Sequence, residues 1–282
     1  MRRCIVTGFW LVVVICAIQY GAGARDTGIV LRVQDSRLIS PARMMEEVRT
    51  VNIVFIGEIH DEVGHHRDEL EIIRAFHNAE VPIALGLEMF RAGDQSLLDS
   101  WTAGTLAPDT FIRAYYDSWR LPWSLYQDIF WYARDHRIPL VGLNIPDGIT
   151  EKISRKGFSS LSAKEREQLP AGISCNVDQH YQDFIRRAYR GHTHRDLDFT
   201  NFCEAQMVWD KSMARHLISY LDKNPNRTVV VLAGVGHAWK RGIPERITED
   251  SRYSVRVIMP LVPEQIELGG VTTEDTDYVL LR

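Results

Sequence analysis

A chain of 282 residues with 45% hydrophobic and 25% charged residues has the composition of a globular protein. Its length suits one large domain or one domain that carries an insertion. The formal net charge is −4, and no lysine- and arginine-rich stretch is present to form the basic surface that nucleic-acid-binding proteins use. We therefore expect no nucleic-acid partner.

The amino-terminal residues 1–24 have the features of a signal peptide. Two arginines precede an apolar segment at residues 9–18, and Ala22-Gly23-Ala24 forms a small-x-small cleavage site. An apolar segment of about ten residues is roughly half of what a bilayer-spanning helix needs. We expect cleavage, export to the periplasm and a mature domain at residues 25–282. An uncleaved segment that keeps the protein associated with a membrane is the alternative.

Six segments of the mature sequence are predicted to be β-strands, because each is apolar, rich in β-branched residues and bounded by turn residues. They are residues 51–56, 82–87, 138–143, 228–233, 255–259 and 277–281, with residues 29–33 as a candidate edge strand. Between the first two strands, apolar residues recur at helical spacing. A strand, a helix and a second strand in succession favour a parallel sheet.

The stretch from 97 to 225 is richer in helix signals and contains one convincing strand, at 138–143. Its polar part, residues 150–200, is interrupted by Pro170 and Gly172. We interpret this stretch as a mainly helical insertion or cap over the sheet. The predicted fold class is α/β, with a mostly parallel central sheet flanked by helices and a smaller helical insertion or cap.

The first predicted strand ends in a group of ionisable residues. Gly57-Glu58-Ile59-His60 follows the apolar run, and His65 and His66 come shortly after it. In open α/β sheets, ligands bind beyond the carboxyl ends of the strands. This segment is therefore the best single indication of function in the sequence.

Three more strands end in polar residues at the same relative position. Glu88 follows the second strand, Asn144 the third and His237 the fourth. In a parallel sheet these side chains converge with Glu58 and His60 on one rim. Each has a structural alternative: a histidine at a loop start is commonly a surface or capping group, and Glu88 would be satisfied by a salt bridge.

A predicted helix from Cys203 to about Leu221 adds two polar residues to this rim. Gln206 and Asp210 lie four positions apart and start a stripe that continues with apolar residues. Polar residues on an otherwise apolar helix face indicate a site or a buried network. A network that only orients the helix is the alternative.

The mature chain keeps two cysteines, Cys175 and Cys203. An oxidising compartment permits them to form a disulfide, and two separate buried thiols are the alternative. Neither has the CxxC or CxxCH context of thioredoxin-like redox sites or of covalent haem attachment.

With these motifs assembled, the chain resembles the ChaN family of haem-binding uptake proteins, grouped in the Tiki/erythromycin-esterase superfamily. The matching stretches are GEIHDEVGHH, LGLEMFRAGDQSLLDSW, the segment Asp117-Ser118-Trp119 with Trp123 and Tyr126, PLVGLNIP, FCEAQMVWDKSMA and AGVGHAWKRGIP. They occur in the family's order over most of the mature chain.

This resemblance implies an exported protein of haem or iron uptake that binds haem non-covalently through a tyrosinate ligand. It also implies a homodimer around stacked haems and an outer-membrane haem or iron receptor system as a partner. The candidate haem-binding residues are Tyr181 beside His180 and Tyr189 near His192, because a phenol near a histidine loses its proton more easily. Packing is the alternative for each tyrosine.

The wider superfamily also contains hydrolases, and this resemblance implies a second function. His60, Glu88 and His237 match residues that bind a divalent metal or act in general-base catalysis there. Two histidines and a glutamate with an open position would activate water on a metal. Without a metal, one histidine would act as the base, with Glu58 or Glu88 setting its pKa. The alternative function is thus an esterase-like or peptidase-like hydrolase.

Overall fold

The computed structural model describes residues 28–175, 177, 179, 181–183, 185–186, 198–262 and 270–281. The predicted signal peptide lies outside these residues, as do His180, Tyr189 and His192. Within the described ranges, no helix combines the length and the hydrophobicity that crossing a membrane requires.

Eight strands of the described chain form one sheet. The strands are β1 (Ile29–Arg32), β2 (Arg37–Ile39), β3 (Ile53–Glu58), β4 (Ile83–Arg91), β5 (Leu140–Asn144), β6 (Thr228–Gly234), β7 (Val255–Pro260) and β8 (Tyr278–Leu281). The α-helices are α1 (Pro41–Val48), α2 (Val63–Asn78), α3 (Gln95–Thr102), α4 (Pro108–Ser118), α5 (Trp123–Asp135), α6 (Asp147–Lys156), α7 (Ala163–Glu167), α8 (Phe199–Lys223), α9 (Val235–Ala238) and α10 (Ile243–Asp250). Short 3₁₀ helices occupy Val33–Asp35, Ala92–Asp94 and Phe158–Ser160.

The strand order is β2-β1-β8-β7-β3-β6-β4-β5. The pairs from β8 through β5 are parallel, whereas β1 pairs with both β2 and β8 in the antiparallel direction. The prediction of a mostly parallel α/β sheet is confirmed. The central strands β3 and β6 are buried at every position, as expected for parallel strands covered by helices on both faces.

All seven predicted strand segments form strands, but several extend further than the sequence indicated. Strand β3 includes Glu58, and β4 continues past Glu88 to Arg91. These residues still pair in the sheet, because Glu58 lies opposite Gly234 and Arg91 lies opposite Asn144. Strand β2, with three largely exposed residues, was not predicted because it has no apolar run.

Alternating residues of the sheet contribute to two separate cores, as strand geometry requires. On one face, Val54 and Ile56 pack with helices α1 to α5. On the other face, Ile53 and Phe55 pack with α8 and α10. Glu58 continues the first face, so the ionisable end of β3 points toward α2 and α5.

Helix α8 carries the buried stripe that the sequence predicted. Asp210 and Leu217 are buried, and Gln206 is half-buried. A disulfide joins Cys203 of this helix to Cys175, with their Cα atoms 5.6 Å apart. Of the two alternatives for these cysteines, the structure therefore has the disulfide, which ties α8 to the segment that precedes Tyr181.

Candidate functional site

The end of β3 places a buried carboxylate beneath an imidazole. His60 Nδ1 donates to Glu58 Oε1 at 2.6 Å, and the Tyr126 hydroxyl donates to the same oxygen. Burial raises the pKa of Glu58, but hydrogen bonds from His60 and His66 lower it by more, so the net pKa lies well below the usual range. Glu58 is therefore ionised and holds His60 with Nε2 directed away from it.

His60 is further confined by an aromatic neighbour. Its ring makes a T-shaped contact with Trp119, with centroids 5.0 Å apart. Burial lowers the pKa of His60, while its hydrogen bond to Glu58 and the charge of Glu88 raise it, and the net shift is upward. The imidazole thus has a fixed orientation and an increased proton affinity.

The end of β6 presents a second imidazole in the same way. His237 lies in the single turn of α9, and its Nδ1 donates to Asp210 Oδ1 of α8 at 2.6 Å. The other Asp210 oxygen accepts from the Tyr181 hydroxyl at 2.9 Å, and Trp209 makes a T-shaped contact with the His237 ring. Burial lowers the pKa of His237, but the charges of Glu88 and Asp210 outweigh this effect and raise it to about 9.

Glu88 lies between the two histidines. Its Oε2 accepts from the Gly234 amide at 2.7 Å, and its Oε1 is 3.7 Å from His237 Nε2. A Cβ atom on Gly234 would lie 2.8 Å from His60 Nε2 and 3.7 Å from Glu88 Oε2. Only glycine at position 234 leaves room for His60 to lie over β6, so His60 and Glu88 both lie beside Gly234, and His237 lies beside Glu88. We call these three residues the rim set.

The rim set has side chains of the types that divalent metal sites use. Two imidazole Nε2 atoms and one carboxylate are a donor set that zinc uses. Each imidazole also has its Nδ1 atom bonded to a carboxylate, which is the arrangement that orients metal-ligating histidines. The structure thus brings together four residues from three strand ends, namely Glu58 and His60 from β3, Glu88 from β4 and His237 after β6.

Of the other two predicted rim residues, Asn144 has contacts that support the site. Asn144 Nδ2 donates to the backbone carbonyl of Glu88 at 2.8 Å, and its Oδ1 accepts from the Ile145 amide. It therefore fixes the end of β4 and holds Glu88 through the main chain. Gln206 lies one helical turn before Asp210 on α8.

Two more histidines of the first motif hold the loop after β3. His65 Nδ1 accepts from the Ile59 amide at 2.9 Å, and burial lowers the pKa of His65, which suits an acceptor. His66 Nε2 donates to the His60 carbonyl at 3.0 Å. Both interactions were missed by the sequence analysis, although these histidines recur with Glu58 and His60 in one motif.

Among the candidate haem-binding residues, Tyr181 lies in the described part of the chain. It is 2% exposed, and its ring stacks on Trp239. Burial and the neighbouring Asp210 raise the pKa of Tyr181 well above its ordinary value. In this conformation the phenol is neutral and bonded to Asp210. The candidates His180, Tyr189 and His192 lie outside the described residues.

The sequence matches a known family of proteins. The family model for haem-binding uptake proteins of the Tiki superfamily, ChaN, matches residues 44–247. The chain belongs to this family of haem-binding proteins. No curated protein matches the sequence.

Solved structures share the fold. ChaN of Campylobacter jejuni, described as binding haem cofacially, superposes with a TM-score of 0.72 at 20% identity, over 90% of this chain and 96% of that one. The type III effector HopBA1 superposes at 0.51 with 12% identity, over 84% and 89% of the two chains. The erythromycin esterase EreC scores 0.48 at 15% identity, over 85% and 78%, which is too distant to support any conclusion. At these identities the similarity shows the fold alone.

Proposed function

We propose that the protein is exported and binds haem non-covalently in haem or iron uptake. Membership of the haem-binding ChaN family over residues 44–247 carries this proposal. The disulfide supports the non-covalent mode, because Cys175 and Cys203 are bonded to each other and so have no thiol to form a thioether with a haem vinyl group. It also supports export, since stable disulfides belong to oxidising compartments.

For the iron ligand we propose Tyr189, with His180 and His192 as the neighbouring candidates. Tyr181 serves this role only if its hydroxyl leaves Asp210 Oδ2, which lies at 2.9 Å, because the present contact stabilises the neutral phenol. A ferric tyrosinate needs the deprotonated form. The two tyrosines therefore make a matched pair for substitution.

A hemin titration of residues 25–282 tests the proposal. We expect a saturable Soret change in the wild type, loss or a large shift of that band in Tyr189→Phe, and a nearly unchanged band in Tyr181→Phe. The absence of saturable binding by the folded wild-type protein would refute the haem proposal. An unchanged spectrum in Tyr189→Phe would refute the ligand assignment alone.

We further propose that two protomers pair around stacked haems and exchange haem with an outer-membrane receptor system. The description of cofacial haem binding by the Campylobacter protein supports the pairing. Sedimentation velocity with and without hemin tests it, and we expect a dimer that depends on hemin. A monomer at saturating hemin would contradict the pairing.

The rim set supports a hydrolase as the second candidate function. Glu58 and Asp210 each hold one histidine through Nδ1 at 2.6 Å, so both Nε2 atoms are oriented for proton transfer or for metal binding. His60, Glu88 and His237 would hold a divalent ion, which supplies Lewis acidity to a bound water. Without it, His60 is the better base, because it is more exposed than His237.

Metal content and cleavage of ester and peptide substrates test this candidate, with His60→Ala as the variant. We expect any authentic activity to be lost in His60→Ala and kept in His136→Ala, whose histidine follows the end of α5 and lies beside Tyr132. Activity that survives in His60→Ala would come from another site or a contaminant. Neither result alters the hemin titration, so the two functions are tested independently.

A further inference from the structure

A second group of metal-binding side chains lies behind His60, between β3 and α2. It consists of Glu58, His66 and Glu69, whose possible ligand atoms all lie within 4.8 Å of one another. His66 and Glu69 are three positions apart and so share the buried face of α2. The three residues are 1%, 4% and 0% exposed. We call them the buried set.

The buried set has two carboxylates and one imidazole to neutralise them. Glu58 Oε1 accepts from His60 and Tyr126. Within the described part of the chain, Glu69 Oε1 has no hydrogen-bond partner, and Glu58 Oε2 has only His66 Nδ1, at 3.2 Å, beside it. The possible ligand atoms of the two carboxyl groups lie within 4.8 Å of each other. Buried carboxylates at this separation do not both ionise unless a cation neutralises them. One protonated His66 offsets a single negative charge, so a further proton or a metal ion is required.

His66 has the orientation of a metal ligand. Its Nε2 donates to the His60 carbonyl at 3.0 Å, which leaves Nδ1 facing Glu69 Oε2 at 3.0 Å and Glu58 Oε2 at 3.2 Å. Metal-ligating histidines commonly donate their other ring nitrogen to a backbone carbonyl in this way. A neutral imidazole with this tautomer would direct a lone pair at two carboxylate oxygens, so either a proton or a metal ion must lie at Nδ1.

The spacing of the donor atoms suits a small divalent ion. Around a tetrahedral zinc ion with bonds of about 2.0–2.1 Å, neighbouring donor atoms lie roughly 3.3 Å apart. The two nitrogen–oxygen separations of 3.0 and 3.2 Å need to change by only a few tenths of an ångström. One nitrogen and two oxygen donors favour a borderline transition metal such as Zn²⁺ over the all-oxygen ions Ca²⁺ and Mg²⁺.

We propose that Glu58, His66 and Glu69 form a buried divalent transition-metal site, separate from the rim set. Loading replaces the Nδ1 proton of His66 and the proton on the carboxyl pair, so two protons leave as one divalent ion enters. The ion joins β3 to α2 and fixes Glu58. Because Glu58 Oε1 orients His60, the buried ion positions the rim histidine without contacting any ligand of the rim.

X-ray absorption at the zinc edge of the wild-type protein distinguishes the two sites, because it reports how many imidazoles bind the zinc ion. The buried set supplies one imidazole, whereas the rim set supplies two. Because the site is buried, residues 25–282 are produced in zinc-supplemented medium, dialysed against weak chelator and analysed for metal content and X-ray absorption fine structure. We expect about one zinc per chain with one imidazole and oxygen donors. No retained zinc, or a zinc with two imidazoles and no other, would overturn the proposal.

Three variants provide an independent test. Glu69→Gln removes a proposed ligand, Glu71→Gln makes the same change at an exposed position of α2, and His237→Ala removes a rim donor. We expect at least a tenfold loss of retained zinc in Glu69→Gln and wild-type content in the other two. If Glu69→Gln retained its zinc and His237→Ala lost it, the proposal would be overturned. If Glu69→Gln does not fold, the wild-type spectrum decides. The hemin titration is unaffected by either outcome.

Discussion

The two halves of the rim are built alike but supported differently. On the β3 side, Tyr126 and His60 both donate to Glu58. On the β6 side, Tyr181 and His237 both donate to Asp210. Each half therefore consists of a carboxylate between a tyrosine and a histidine, with a tryptophan against the imidazole.

The two halves differ in the residues that support Glu58 and Asp210. Glu58 belongs to the buried set, whose other members, His66 and Glu69, lie next to it. Asp210 comes from α8, 27 residues before His237, and its tyrosine belongs to the segment that the disulfide ties to that helix. Electrostatic contacts among Glu58, His66 and Glu69 thus support the β3 half. The Cys175–Cys203 disulfide, which links two separate segments, supports the β6 half.

The largest effect is expected from neutralising the β3-side carboxylate. Glu58→Gln leaves the buried His66 and Glu69 without their charged partner, and breaking a buried charge network costs about 3–5 kcal/mol. Asp210→Asn keeps Glu88 near His237 and should cost about 1–3 kcal/mol. Urea unfolding monitored by circular dichroism compares them. Equal losses would show that the buried set adds nothing to the β3 half.

Breaking the disulfide should affect the β6 half selectively. Reduction, or Cys175→Ser with Cys203→Ser, removes a cross-link between residues 28 positions apart and should lower the free energy of unfolding by about 3 kcal/mol. Because Tyr181 then loses its tether, we expect amide hydrogen exchange to increase around Asp210 and to stay unchanged around Glu58. Faster exchange at both carboxylates would contradict the separate support of the two halves.

Gly234 is where the two halves meet, so filling its space should disturb both. In Gly234→Ala the new Cβ would lie within 2.8 Å of His60 Nε2, and relieving such overpacking costs about 1–3 kcal/mol. Gly64→Ala is the control, because a Cβ there meets no atom within 4 Å and alanine favours the helix. We expect thermal unfolding to show a lower midpoint for Gly234→Ala and an equal or higher one for Gly64→Ala.

The smallest effect concerns pH. The pKa of His237 is raised to about 9 and that of His66 to about 10, in both cases because burial, which lowers it, is outweighed by neighbouring carboxylates. Each charge stabilises the folded state fully below pH 6.5, and this stabilisation is lost as the pH rises through the folded pKa. We expect His237→Gln to make stability fall less steeply between pH 6.5 and pH 9 than it does in the wild type.

Imidazole NMR signals check the order of these two titrations. His237 should lose its proton at a lower pH than His66. Zinc in the buried set would remove the His66 titration and leave that of His237, so the measurement is made on protein whose metal content is known. If His237 and His66 lost their protons at the same pH in metal-free protein, the proposed difference between the β3 half and the β6 half would be contradicted.

The sequence by itself determined the strands, the parallel sheet and the strand-end residues. Runs of β-branched residues and glycine breaks are local signals, and a parallel sheet brings all strand ends to one edge for topological reasons alone. Glu58, His60, Glu88 and His237 could therefore be grouped from the sequence. The short strand β2 could not be predicted, since its exposed residues have no periodicity.

Only the tertiary structure shows which buried side chains contact the carboxylates that hold the rim histidines. Tyr126 reaches Glu58 across 68 residues, and Asp210 reaches Tyr181 across 29. Such contacts depend on how helices pack on each face of the sheet, which no local pattern encodes. The same holds for the pairing of Cys175 with Cys203 and for the meeting of Glu69 with Glu58. The local sequence pattern predicts which residues lie at the strand ends. Helix packing determines which buried groups contact them and so set their charge and orientation.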